Sequence, residues 1–174
     1  MSLIKLYFEK FWRKETLPKF DESTHYFNEW SHTYDKYTFR YFMRRAQRNS
    51  INMISNKNFS ALDVSCGTGE GLLMLREKTS GRIAGVDISE EMLKIAKKKV
   101  GGKNIELKKG SVDKLIYDDE TFDVVISTEA FHHYPNPENA VKEMTRVLKK
   151  GGELIITDPD FLVFNRLFEK IEPG

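Results

Sequence analysis

Five short runs rich in valine, isoleucine and leucine alternate with amphipathic stretches from residue 59 onward: 61-ALDV, 82-RIAGVD, 104-NIELKKG, 122-FDVVIST and 153-ELIITD. The segments between them carry helix signals of their own. The first, 70-EGLLMLREK, follows a glycine-rich turn. In 89-SEEMLKIAKKK a serine stands at the N-cap, glutamates occupy the first turn and lysines the last, an arrangement that complements the helix dipole. The stretch 137-PENAVKEMTRVLKK opens on proline and is expected to stop at Gly151–Gly152. The pattern in 112-VDKLIYDDE is weaker and predicts a turn of helix at most. Strands that succeed one another through a helix run parallel, with helices on both faces of the sheet. The expected class is therefore α/β with a doubly wound parallel sheet.

The chain is long enough, at 174 residues, for one domain with a real core. Its 40% hydrophobic content fits a globular protein, and no apolar run approaches the ~20 residues of a membrane span. The N-terminal MSLIKLYFEKFWRK has no continuous apolar core or small-residue cleavage site, so a cytoplasmic location is expected. A single cysteine, Cys66, leaves no internal disulfide framework and no cysteine-built zinc site, and no metal constellation is visible. In the turn it reads as a small residue. With a net charge of only +2, attraction to polyanions would have to come from local patches.

Composition shifts near residue 58. Before it, aromatics and arginines dominate; Tyr34, Tyr37 and Tyr41 form one helical stripe and Arg40, Arg44 and Arg48 another. The expected organisation is an N-terminal helical cap over 1–58 and a ligand-binding domain over 59–174. The arginine stripe reads as a solvated helix face, with an anionic substrate or lipid surface as the alternative. The basic amphipathic stretch 3-LIKLYFEKFWRK-14 suits a lid or homodimer contact, with peripheral membrane contact as the alternative.

The glycine-rich turn 61-ALDVSCGTGEG-71 limits the ligand. A P-loop needs a lysine after its last glycine, and here leucines follow Gly71. A dinucleotide fingerprint has its third glycine where this chain has Leu72. Both phosphate readings fail. Asp87 ends the second run, where a carboxylate can accept both hydroxyls of a ribose. The expected ligand carries a ribose, no pyrophosphate, and a carboxylate or ammonium end near the turn.

These residues resemble a family. LDVSCGTGEG, GVDISEEMLKIAKKK and FDVVISTEAFHHYPNPENAVKEMTRVLKKGGELIITDP, in this order over about residues 59–160, are similar to the class I S-adenosylmethionine-dependent methyltransferases, in particular the small-molecule branch that includes ubiquinone/menaquinone C-methyltransferases. The resemblance implies a Rossmann-like sheet of order 3-2-1-4-5, S-adenosyl-L-methionine as cofactor, S-adenosyl-L-homocysteine as product and a small-molecule methyl acceptor. It implies that Asp63 orients the turn and reaches the methionine ammonium. Ser65, Gly67, Thr68 and Gly69 would line the methionine moiety, Asp87 would hold the ribose, and Ile88 would pack on adenine. Ser111 and Val112 stand where the family commonly has Asp-Ala beside the adenine amino group. Thr128 would lie beside the methionine, and Tyr34, in 31-SHTYDKY, belongs to a segment that closes over the cofactor.

Three departures stand out. Ser65 replaces the usual first glycine; the expectation is that the site needs a small side chain and not a positive φ. Ser111 replaces an acid. The usual sixth and seventh strands are absent from this sequence, which leaves 153-ELIITD as an expected edge where two chains could meet or further residues could pair. In 131-FHHY-134, neighbouring side chains point in different directions, so at most one histidine faces the transfer site; His132 is the expected one, as a general base or a substrate hydrogen-bond partner. Two rival readings remain. A nucleic-acid methyltransferase would carry Asn/Asp-Pro-Pro-Tyr after the fourth strand, where this chain reads 127-STEA, so no nucleic-acid partner is expected. A non-catalytic cofactor-binding scaffold is the other.

Overall fold

The computed structural model describes residues 27–29, 31, 34–36, 39–55 and 57–158; the stretches 3–14 and 161–171 lie outside them. Along the described chain run a 3-10 turn Tyr34–Lys36, α1 Phe39–Asn52, β1 Ala61–Val64, α2 Glu70–Lys78, β2 Ile83–Asp87, α3 Glu90–Val100, β3 Ile105–Lys109, β4 Phe122–Thr128, a 3-10 turn Phe131–His133, α4 Pro137–Val147 and β5 Leu148–Thr157. The sheet order is β3-β2-β1-β4-β5 with every pairing parallel, as expected. None of the described helices is long and apolar enough to cross a membrane.

Both faces of the sheet are covered, which is why its central strands read as unbroken apolar runs. Leu62, Val64, Val86 and Val125 point one way and pack with Ala140, Met144 and Val147 of α4. Ala61, Ile83, Val124 and Ile126 point the other way, onto Ile51 of α1, Leu72 and Leu75 of α2 and Val100 of α3. The period of two along each strand selects the face. Ile51 is 1% exposed, so the end of α1 is core rather than covering.

Two local expectations are corrected. The stretch 112–120 forms no helix. Its backbone is satisfied from α4: Leu115 N–H donates to Glu143 Oε2 at 2.7 Å, and the Arg146 guanidinium donates to the Leu115 and Tyr117 carbonyls at 2.9 and 2.8 Å. Leu115 and Tyr117 are thereby buried in the core. Partners supplied by tertiary structure replace those a helix would supply from within.

The second correction concerns α4, which ends at Val147 rather than at the glycines. Leu148 is already extended and pairs with Phe122, so β5 starts earlier than 153. Residues 149–152 bulge out before pairing resumes at Glu153 opposite Val124. Gly151 takes φ 77°, and Lys149 pairs with Asp123 at 2.9 Å. Strand β5 pairs with β4 alone among the described residues, so the expected edge is there.

Candidate functional site

The strand order reverses between β1 and β4, and the ligand site of such a sheet lies at the carboxyl ends of the strands beside that switch. A cavity of about 100 Å³ lies there. Of the residues expected from sequence, Tyr34, Ser65, Gly67, Asp87, Ile88, Ser111, Val112 and Thr128 line it.

The turn after β1 is where sequence reasoning went wrong in a telling way. Ser65 has φ 62°, Gly67 51° and Gly69 84°. The serine therefore does sit in the left-handed region, at a cost of ~1 kcal/mol that a glycine would avoid. A hydrogen-bond chain holds it. The Ser127 and Tyr134 hydroxyls meet at 2.8 Å, and the buried Tyr134 O–H donates to Ser65 Oγ at 3.0 Å. A glycine at 65 could not accept that bond.

Asp87 is fixed from two sides. Gly67 N–H donates to Oδ2 at 2.7 Å and Ser89 N–H to Oδ1 at 2.8 Å. A carboxylate has about four lone-pair sites, so each oxygen keeps capacity for a ligand hydroxyl. Burial raises its pKa, and the backbone donors of Ser89, Gly67 and Ile88 oppose that shift. Ile88 and Val112, joined by Met92, give the same cavity an apolar side suited to a flat ring.

Four expected residues do not line the cavity. Asp63 is 1% exposed and lies beneath the turn. Its Oδ2 has no hydrogen-bond partner, and burial, followed by the charges of Asp87 and Glu129, pushes its pKa well up. A Cβ on Gly71 would come within 2.6 Å of that oxygen and 2.9 Å of Gln47 Nε2, so the glycine is what lets the helix start lie against both. Gly69 packs against Ala96 of α3, and Thr68 turns its hydroxyl to Asp35 Oδ1 at 3.0 Å. Neither contact faces the cavity.

The histidine pair is divided the other way from the expectation. His133 lines the cavity, with its ring edge-on to Phe27 at 4.9 Å. Burial, helped by the neighbouring His132, lowers its pKa to about 4, so its ring is neutral near pH 7. His132 is turned toward β5: its Nδ1 lies 2.7 Å from Asp158 Oδ1, and its backbone N–H donates to Asp158 Oδ2 at 2.6 Å. The two imidazole centroids lie 3.8 Å apart with their planes tilted by 45°.

Several site residues were not foreseen. Glu129 (φ 62°) and Tyr134 line the cavity and lay in strings already singled out, 127-STEA and 131-FHHY. Gln47 had no signal at all. From α1 it reaches Thr128, donating to Oγ1 at 2.7 Å, while its own Oε1 is buried without a partner. Of the expected arginine stripe, Arg44 pairs with Glu70 at 3.1 Å and Arg48 with Glu77 at 2.9 Å, while the Arg40 side chain lies outside the described residues.

An open parallel sheet of this order, with an acid-tipped β2 and a glycine turn after β1, defines a doubly wound α/β domain whose ligand site lies at the strand ends. Residues 62–156 match the methyltransferase domain family, a span of more than half the chain, and the chain belongs to that family. It is 38% identical over 117 residues to the demethylmenaquinone methyltransferase of Shouchella clausii, covering 63% of this chain and 50% of that protein. The chain thus spans about half the length of the curated relatives it matches. Among solved structures it is similar to a SAM-dependent methyltransferase from Aquifex aeolicus, with a TM-score of 0.55 and 29% identity over 59% of this chain and 58% of that one. It is also similar to a structure of the Haloferax volcanii Trm112 methyltransferase activator in complex with its methyltransferase, with a TM-score of 0.69 and 27% identity over 75% of this chain and 58% of that one.

Proposed function

We propose that this chain is a methyltransferase that binds S-adenosyl-L-methionine and transfers its methyl group to a small-molecule acceptor. The observation that carries the reading is Asp87, held at the tip of β2 by Gly67 and Ser89 with spare acceptor capacity on the cavity wall. When bound, the cofactor supplies an electrophilic methyl on a sulfonium sulfur. Asp87 would accept the two ribose hydroxyls. Ile88, Met92 and Val112 would bracket the adenine, with Ser111 giving its polar edge a neutral partner. Ser65 and Gly67 would flank the methionine part.

The charge balance supports a cationic ligand. Burial first, and then the charges of Asp87 and Glu129, raise the proton affinity of Asp63, and two buried acceptors, Asp63 Oδ2 and Gln47 Oε1, have no donor. Leaving such groups unsatisfied is costly, and an ammonium or sulfonium nearby offsets the cost. The same residues would repel a triphosphate. In this reading the segment before residue 59 is a cap whose last helix end joins the core; it contributes Tyr34 to the cavity wall and bonds Thr128 through Gln47, and 59–174 is the cofactor-binding domain.

For the acceptor, the histidine pair stands at this end of the sheet. His132 is held by Asp158, its Nδ1 2.7 Å from Oδ1, and so fixes the turn that carries His133. Neutral His133, inside the cavity, would accept a hydrogen bond from the nucleophile and orient it. Holding that nucleophile in line with the leaving sulfur is the larger task.

Calorimetry with S-adenosylhomocysteine, S-adenosylmethionine, NAD and ATP tests the reading. The two adenosyl-sulfur compounds are expected to bind and the two phosphate-bearing ones not; tighter NAD binding ends it. Single-turnover transfer to a panel of quinols, phenols, amines and thiols then separates an enzyme from a non-catalytic scaffold.

A further inference from the structure

The last turn of α3 carries Lys97, Lys98 and Lys99, which in sequence read as three equivalent dipole-complementing charges. They are not equivalent. Lys97 and Lys98 are exposed, whereas the Lys99 side chain is 21% exposed and all its donors are engaged. Its Nζ donates to Asp35 Oδ2 at 2.7 Å, to Thr68 Oγ1 at 3.0 Å and to Glu70 Oε2 at 3.4 Å. Thr68 in turn donates to Asp35 Oδ1 at 3.0 Å, which closes a ring of three hydrogen bonds around the Asp35 carboxylate.

The ring joins the two sides of the cavity. Asp35 follows Tyr34, which lines one wall; Thr68 follows Gly67, which lines another and is bonded to Asp87. Glu70 extends the network to Arg44 of α1. Whatever fixes the Tyr34 wall therefore sets how closely Tyr34 meets a bound nucleoside.

We propose that Lys99 is a positioning residue for the cofactor cleft: through Asp35 and Thr68 it seats the Tyr34–Lys36 turn against the glycine turn, so that Tyr34 closes on the bound nucleoside. The pair is half-buried, where a charge-assisted bond is stronger than one in water. Lys99 touches neither cavity nor ligand and acts through Asp35. This rests on the adenosyl-binding reading above.

The test uses the full chain and S-adenosylhomocysteine as probe, with variants Lys99→Met, Lys99→Arg and Asp35→Asn, and their double combination. Lys99→Met and Asp35→Asn are each expected to weaken binding about tenfold, the equivalent of ~1.4 kcal/mol. Lys99→Arg is expected to recover most of it, and Lys99→Met/Asp35→Asn to be no weaker than either single variant, because they share one interaction. Without ligand, amide exchange at 34–36 should quicken in Lys99→Met. Wild-type affinity in Lys99→Met, or losses in the two single variants that simply add, overturns the proposal. Should the wild type bind no adenosyl compound, the functional reading fails; unchanged exchange at 34–36 would then overturn the Lys99 role separately.

Discussion

Ser65 allows the strain at the first position of the glycine turn to be measured against the hydrogen bond that holds it. Replacement by glycine removes the left-handed penalty of ~1 kcal/mol, loses the Tyr134 hydrogen bond of about 0.5–1.5 kcal/mol and adds unfolded-state entropy of about 0.4–1 kcal/mol. The Tyr134 hydroxyl is not orphaned, since Ser127 Oγ remains at 2.8 Å. The sum is a loss near 0.5–1 kcal/mol. Alanine loses the same bond and, like serine, stands at φ 62°. It also lacks any side-chain oxygen with which to hold the left-handed backbone. Ser65→Ala keeps the ~1 kcal/mol of strain but avoids the about 0.4–1 kcal/mol of unfolded-state entropy that glycine adds, so it is expected to be the less stable of the two by up to about 0.6 kcal/mol. For a chain of this size 1 kcal/mol moves the melting point by about 2–4 °C. Urea midpoints at constant m, read beside thermal melts, give the ranking wild type above Ser65→Gly above Ser65→Ala. If alanine equals or exceeds glycine, the backbone argument is wrong and the site needs only a small side chain.

Asp87→Ala should weaken S-adenosylhomocysteine binding by about 1.5–3 kcal/mol; an unchanged dissociation constant in a folded variant would remove Asp87 from the site. Gly71→Ala places a methyl against buried Asp63 and Gln47, and the urea midpoint is expected to drop by the equivalent of about 1–3 kcal/mol. An unmoved midpoint would mean that contact yields freely. His133 has a folded pKa of about 4 against 6.5 in the unfolded chain, so the unfolded chain protonates first as the pH falls. Its contribution is complete above pH 6.5 and shrinks toward pH 4, by about 2 kcal/mol at pH 4.5. In His133→Gln that loss should vanish from the stability profile between pH 7.5 and 4.5; parallel profiles would refute it.

The sheet was legible because its cause is local. Apolar runs of strand length, each followed by capped amphipathic helices, permit little besides a parallel doubly wound sheet, and β1, α2 and β4 fall where periodicity puts them. The acid on β2 was legible for the same reason: a strand end in this topology faces the ligand whatever surrounds it. What sequence could not decide depends on partners distant along the chain. Residues 112–120 have some helical pattern, but Glu143 and Arg146 satisfy their backbone first. Whether Ser65 stands at positive φ turned on Tyr134, and which histidine enters the cavity turned on Asp158 at the end of β5. Gln47 and Lys99 are ordinary helix-surface residues by spacing. Only the packing of α1 and the Tyr34–Lys36 turn against the rest of the chain gives them Thr128 and Asp35 as partners, because a side chain's role is set by what folds against it.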